Sequence, residues 1–210
     1  MTKTNNNLTR QTIMFGAVTF ILAYICYKYI DLNVMLSIHN DSIFSNNINS
    51  IATSISSVLS PKIWVLVGAI ATLMCVYNHF KSKKTSDALY ILSLTLIMTT
   101  IIATAVKITL ARYRPEMYIF SQEYGFHFFS MKKAFNSMPS GHTVLSFAGI
   151  LAIANFFNKK YITILLVVIA CIVAISRVII LDHYISDVLV AAYIGTFTYL
   201  WSKSFVESRN

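Results

Sequence analysis

Ser176-Arg177-Val178-Ile179-Ile180-Leu181-Asp182-His183-Tyr184-Ile185-Ser186-Asp187 places an arginine, a histidine and carboxylates beside one another between two apolar runs, Ile162 to Ile175 and Val188 to Trp201. Both runs read as membrane-embedded. Ionisable groups at that depth are costly, and they default to a functional role with a nearby partner. If the chain is helical from His183 onward, His183 and Asp187 are four residues apart and share one face. A carboxylate there can hold an imidazole in one tautomer.

Composition supports a membrane setting for the whole chain. Of its 210 residues, 56% are hydrophobic and 12% charged, and its mean hydropathy is +0.64; soluble domains carry about 25% charged residues. A crossing takes roughly 20 apolar residues, so the length suits six helices with short loops. They are expected at about 13 to 30, 61 to 80, 88 to 107, 139 to 157, 161 to 181 and 187 to 202. The expected fold is all-α: a six-transmembrane-helix bundle with an interfacial helix and an outward-facing active site. Residues 1–12 and 203–210 read as cytoplasmic tails around one domain, 13–202. The first run begins only after Arg10 and lacks a small-residue cleavage site, so it is expected to stay as a helix.

The net charge of +9 is resolved by where the cations fall. Lys3, Arg10, Lys81, Lys83, Lys84, Lys159, Lys160, Lys203 and Arg209 all lie on one side of a six-crossing chain. The positive-inside rule makes that side cytoplasmic and turns the longer loops, 31–60 and 108–138, outward. Basicity is then a topology signal and gives no support to nucleic-acid binding. Cys26, Cys75 and Cys171 stand far apart in apolar runs without CxxC spacing, and read as small core residues.

Several loop features follow. Leu32, Leu36, Ile43, Phe44, Ile48, Ile51, Ile55 and Leu59 recur at helical spacing among Asn and Ser, the pattern of a helix lying along the outer surface. Ser60-Pro61 reads as a cap and first helical residue. Met117 to Phe135 is rich in aromatics and is expected either to line an entrance for an acyl chain or to anchor at the interface. His39, His79 and His127 read as ordinary polar-face, interfacial and loop residues.

Two further segments carry chemistry. Lys107-Ile108-Thr109-Leu110-Ala111-Arg112-Tyr113-Arg114-Pro115 puts three cations at the outer end of a helix; on this segment alone, snorkelling to headgroups competes with anion binding. Met138-Pro139-Ser140-Gly141-His142 opens another helix. Its first-turn amides lack acceptors inside the helix, and Gly141 lets an anion approach the backbone. The Ser140 hydroxyl adds a donor, and His142 can supply a proton.

Lys107-x6-Arg114-Pro115, Pro139-Ser140-Gly141-His142 and Ser176-Arg177-x5-His183-x3-Asp187 together resemble the tripartite signature of the type 2 phosphatidic acid phosphatase superfamily. The resemblance implies a six-helix bundle that hydrolyses lipid phosphates without a metal or other cofactor at the non-cytoplasmic face. It implies that His183 is the nucleophile that forms a phosphohistidine, that Asp187 orients it, and that His142 protonates the leaving alkoxide and then activates water. Lys107, Arg114, Arg177, Ser140 and the Gly141 amide would bind the phosphoryl oxygens. Phosphoryl transfer asks for such parts, because its catalysis is largely positioning and charge stabilisation.

The expected partners are a phosphorylated membrane lipid and the bilayer, in a bacterial inner membrane with both termini cytoplasmic. Phosphatidic acid, phosphatidylglycerophosphate, an isoprenyl diphosphate such as undecaprenyl diphosphate, and lipid A phosphate all fit. A phosphotransferase using the same site and a non-catalytic lipid-phosphate binder are the alternatives. The soluble vanadate-dependent haloperoxidases resemble the same motifs, but the apolar spans exclude their architecture. Asp182 is expected at the rim, and Arg112 is expected to meet a second phosphate, a headgroup or the membrane surface.

Overall fold

The computed structural model describes residues 3–40 and 46–209. Helix α1 is Lys3–Ile25; a π-helical turn, Cys26–Ile30, joins it without a break to α2, Asp31–Asn40. Then follow α3 (Asn46–Val58), α4 (Pro61–Phe80), α5 (Asp87–Leu110), the short α6 (Pro115–Ser121), α7 (Gly141–Phe157), α8 (Lys160–Ile179) and α9 (Ile185–Glu207). No strand forms among the described residues, beyond one bridge between Arg112 and Phe126. The all-α expectation holds.

Helix starts follow the sequence. Pro61 occupies the first turn of α4, and the Ser86 hydroxyl accepts the Leu89 N–H at the start of α5. The first helix begins earlier than expected, at Lys3 rather than Ile13. Polar contacts tie its early turns to α9: Tyr193 donates to the Thr12 carbonyl at 2.9 Å and Trp201 Nε1 to the Thr12 hydroxyl at 3.0 Å. Gly16 lies under the Tyr193 hydroxyl, where a Cβ would come within 2.7 Å.

Residues 31–40 also depart from the surface helix expected over 31–60, because they prolong the first helix and bury Asp31 and Met35. The second half of that stretch, α3, turns Ala52 and Ser56 inward, and its apolar residues Ile48, Ile51 and Ile55 share a groove with Ile172, Ile175 and Ile179 of α8. Ile43 and Phe44 lie outside the described residues. Of the cysteines, Cys26 and Cys75 are buried and Cys171 is exposed on α8, so the core role expected of Cys171 does not hold.

Four helical stretches are long and apolar enough to cross a membrane: Asn6–Asn40, Ile48–Phe80, Asp87–Leu110 and Lys160–Ile179. The helix α7 is apolar but shorter. Helix α9, where the sixth span is expected, packs at the centre of the bundle. Buried Ser186, Asp187, Thr198 and Ser202 punctuate it, and it packs against α1, α5 and α7. A helix surrounded by protein can carry such residues, because neighbours rather than lipid meet its polar groups.

Small residues set the spacing. A Cβ on Gly195 of α9 would lie 2.4 Å from the Val144 carbonyl of α7, and one on Gly149 of α7 would meet the Trp64 ring at 2.2 Å. The Trp64 indole donates to Ser146 at 3.3 Å. Such close approach is the usual way apolar helices gain contact in a membrane. It brings the start of α7 beside the start of α9, where the Ser140 amide donates to the Asp187 carbonyl at 3.4 Å.

Candidate active site

Three helix ends meet at one end of the bundle. The last turn of α5 supplies Lys107, the first turn of α7 supplies Gly141 and His142, and the α8–α9 junction supplies Arg177 and His183. These five residues, with Arg114, line one cavity of about 460 Å³ together with Lys133, Asn136 and Asp182. Ser140 and Asp187 are fully buried and lie behind the lining. Six of the eight residues singled out in the sequence therefore face one space.

The α8–α9 junction is a tight turn rather than a helix. After Ile179 the chain wraps so that the amides of Asp182 and His183 both donate to the Arg177 carbonyl at 3.2 Å, with Leu181 in the left-handed region at φ 56°. The next helix starts at Ile185, so His183 and Asp187 do not share a helical face as expected. They meet because Asp187 caps the helix, accepting the Tyr184 amide at 2.9 Å on Oδ2. The same oxygen lies 3.7 Å from His183 Nδ1. That is ion-pair distance but beyond a hydrogen bond, and Nδ1 has no hydrogen-bond partner. Burial pushes the His183 imidazole down to about 4; the nearby Asp187 carboxylate pulls it up, and Lys107 and Arg114 push it further down. The imidazole is thus neutral across the physiological range.

The cations are held by loops. Lys107 Nζ donates to the carbonyls of Asn136 at 2.8 Å and Pro139 at 2.9 Å, which uses two of its three protons and leaves one for the cavity. Arg114 Nε donates to the Lys133 carbonyl at 3.0 Å. Arg177 NH1 donates to the Ser56 hydroxyl at 2.6 Å and so fastens α3 to α8. At Gly141 a Cβ would find only Pro61 Cγ, at 3.6 Å; protein packing does not demand glycine there, and its missing side chain leaves the backbone open toward the cavity. The Ser140 hydroxyl accepts from Thr143 at 3.0 Å.

Asp182 is more than a rim residue. Its carboxylate pairs with Arg114 at 2.8 Å and also with Arg177. It thereby occupies the groups that an anion in the cavity would use. Among the described residues, no three His, Cys, Asp or Glu side chains gather as a metal-ligand set.

Sequence reasoning missed the surroundings of Asp187. Ser137 donates to its Oδ2 at 2.5 Å, and Arg112 NH1 donates to its Oδ1 at 2.6 Å. Arg112 is fully buried and points away from the cavity, so contact with a phosphate, headgroup or membrane surface does not account for it. Its NH2 pairs with Asp31 at 2.8 Å and donates to the Tyr124 hydroxyl at 3.1 Å. Burial works against its charge, but Asp187 and Asp31 more than compensate and raise its pKa above the usual arginine value.

Two aromatics of the loop serve this arginine. Tyr124 and Phe126 stack on Tyr27, at 4.8 and 5.6 Å between centroids, and all three face the guanidinium. Phe120, Phe128 and Phe129 remain exposed.

Comparison with known proteins identifies the family and the fold. The sequence pattern of the PAP2 superfamily matches residues 88–210, which includes α5 through α9. A transmembrane PAP2-type phosphatidylglycerolphosphate phosphatase from Bacillus subtilis superposes with a TM-score of 0.66 at 22% identity, over 95% of this chain and 97% of that one. Aquifex aeolicus LpxE superposes with a TM-score of 0.53 at 17% identity, over 82% of this chain and 94% of that one. Comparison with curated proteins gives no match. With a family pattern over more than half its length and a shared fold over nearly all of it, the chain belongs to the PAP2 superfamily.

Proposed function

We propose that this integral membrane protein is a lipid phosphatase that hydrolyses a phosphate monoester or diphosphate through a phosphohistidine on His183. The observation that carries the reading is the single cavity in which a buried neutral imidazole, a second histidine and four cations, Lys107, Arg114, Lys133 and Arg177, face one another. The His183 Nε2 lone pair attacks phosphorus, the P–O bond to the leaving group breaks, and His142 gives its proton to the departing oxygen, which is the lipid alkoxide for a monoester and the lipid monophosphate for a diphosphate. Water then attacks the phosphorus, His142 takes up a proton from it, and the P–N bond breaks to release inorganic phosphate. Lys107, Arg114, Arg177 and the first-turn amides of α7 hold the equatorial oxygens. The incoming phosphoryl group displaces the Asp182 carboxylate from the two arginines.

A membrane lipid is favoured by what adjoins the cavity. Val65 and Thr100 line both the site and a second, apolar groove of about 530 Å³ between α4 and α5, whose walls include Ala69, Leu73, Leu96 and Ile101. A phosphorylated head in the cavity and a hydrocarbon tail in the groove would share one continuous path. The positive-inside distribution of the cations over six expected crossings supports a cavity that opens at the outer face of the membrane, with the substrate head presented from the outer leaflet. The Bacillus subtilis relative is described as acting on phosphatidylglycerolphosphate, and that lipid stands first among the substrates to test.

The test is phosphate release by the purified protein in detergent from phosphatidic acid, phosphatidylglycerophosphate, an isoprenyl diphosphate and a phosphorylated lipid A. Turnover of at least one is expected, and release from none would overturn the proposal. Thr100→Phe, at the junction of cavity and groove, should raise KM for a long-chain substrate about tenfold, the cost of displacing roughly two methylenes. Its kcat/KM for a water-soluble phosphate monoester should stay near wild type. Equal effects on both would remove the groove as the tail site.

The pH profile follows from His183. A pKa lowered to about 4 keeps the nucleophile neutral above that value and protonates it below. The acid limb of kcat/KM, corrected for substrate ionisation, is therefore expected near pH 4 and not near 6.5, and the alkaline limb belongs to kcat, where it reports loss of the His142 proton in the substrate complex, in which the bound phosphate's negative charge favours the protonated imidazole. A flat kcat profile from pH 5 to 9 would contradict the assignment of opposite roles to the two histidines.

A further inference from the structure

The deepest charges in the protein lie behind the cavity. Asp31, Arg112 and Asp187 are each 1% exposed or less and form one chain of contacts. Arg112 bridges the two carboxylates, at 2.8 Å to Asp31 and 2.6 Å to Asp187. Ser186 closes the circuit: its hydroxyl accepts from Arg112 NH1 at 2.5 Å and donates to Asp31 Oδ2, while its amide donates to Asp31 Oδ1 at 3.1 Å. The rings of Tyr27, Tyr124, Phe126 and Tyr184 surround the guanidinium, at 4.4 to 5.7 Å from its carbon to their centroids. Water is kept away from these charges, so they interact with little screening.

We propose that Arg112 and Asp31 are positioning residues for the His183 chemistry: Arg112 fixes the Asp187 carboxylate toward the imidazole, and Asp31 keeps Arg112 from cancelling its charge. This rests on the phosphohistidine reading above. With Arg112 holding Oδ1, and Ser137 and the Tyr184 amide holding Oδ2, the carboxylate has one orientation, with Oδ2 beside Nδ1. A lone Arg112–Asp187 pair would sum to zero charge. The second carboxylate returns the cluster to a net −1, and that charge is what a phosphorylated, protonated imidazole ring needs behind it. Phosphorylation at Nε2 makes His183 cationic, so the cluster favours the intermediate over the neutral starting state. Neither residue touches substrate.

Asp31 also receives an amide from the first turn of α9, so stability and chemistry must be separated. The test is Asp31→Asn, which keeps size and removes one charge. Expected is a fall in kcat of about ten- to a hundredfold, the range seen when the outer partners of metal-bound imidazoles are lost, with KM within about twofold. The acid limb of kcat/KM should move to lower pH, because His183 loses a nearby negative charge. A purely structural role would leave that limb in place. Arg112→Lys keeps the charge without the two-armed fork and should lower kcat at least as much.

A folded Asp31→Asn protein with wild-type kcat and an unmoved acid limb would overturn the proposal. If thermal melting shows that this variant does not fold, Arg112→Lys decides on the same criteria. Failure of both to fold would show a structural role alone and overturn it as well. The underlying reading fails separately: it falls if His183→Ala retains turnover, whatever Asp31→Asn does.

Discussion

His183→Ala is expected to lower phosphate release at least about a thousandfold while leaving the fold intact; loss of a covalent nucleophile ordinarily costs this much or more. The imidazole is buried, yet its Nδ1 makes no hydrogen bond, and its carboxylate neighbour keeps Arg112, Ser137 and the Tyr184 amide without it. Truncation therefore leaves no new unpaired charge, and stability should fall by no more than the few kcal/mol of a small cavity. Phosphate release on the detergent-purified variant, with a thermal melt beside it, checks both parts. Turnover within tenfold of wild type would remove His183 as the nucleophile.

Asp187→Asn is expected to be nearly as severe for activity and worse for stability. Substitution of the carboxylate behind a catalytic imidazole costs about 10⁴ in kcat in the serine protease triad, and a loss on the order of 10³ to 10⁴ is expected here. The physical grounds are specific. Three donors converge on the carboxylate, from Arg112, Ser137 and Tyr184. An amide can accept at only one of its two ends, so one donor set is left facing an NH2 group. Breaking a buried pair on one side costs about 3–5 kcal/mol, which should appear as a clear drop in melting temperature. A variant with wild-type turnover would contradict the assignment of Asp187 as the orienting group.

The readable and unreadable parts of the site differ in physical kind. Lys107, Arg114, Gly141, His142, Arg177 and His183 could be found in the sequence, because each is a charged or special residue at a helix end with fixed local spacing. Helix positions followed from apolar runs and from Ser60-Pro61. What could not be read depends on contacts between distant segments. Asp31 reaches Arg112 across 81 positions and Ser137 reaches Asp187 across 50, and no local pattern joins them. A lone Asp at the end of an apolar run looks like interface; only the packed bundle makes it a buried partner. The aromatic loop misled for the same reason. Tyr124 and Phe126 read as part of an acyl-chain entrance or of an interfacial anchor, but they enclose a guanidinium. A rim position for Asp182 follows only if the helix runs on through His183. The turn at Leu181 instead brings its carboxylate to both arginines.

The central claim is a covalent phosphoryl group on His183, and acid–base stability of a trapped label tests it most directly. Wild-type protein mixed with a 32P-labelled lipid phosphate and quenched within a turnover should carry protein-bound label that survives alkali, is lost in acid, and is absent from His183→Ala. Phosphate release from the wild type with no such label at any quench time, or a label that persists in His183→Ala, would contradict it.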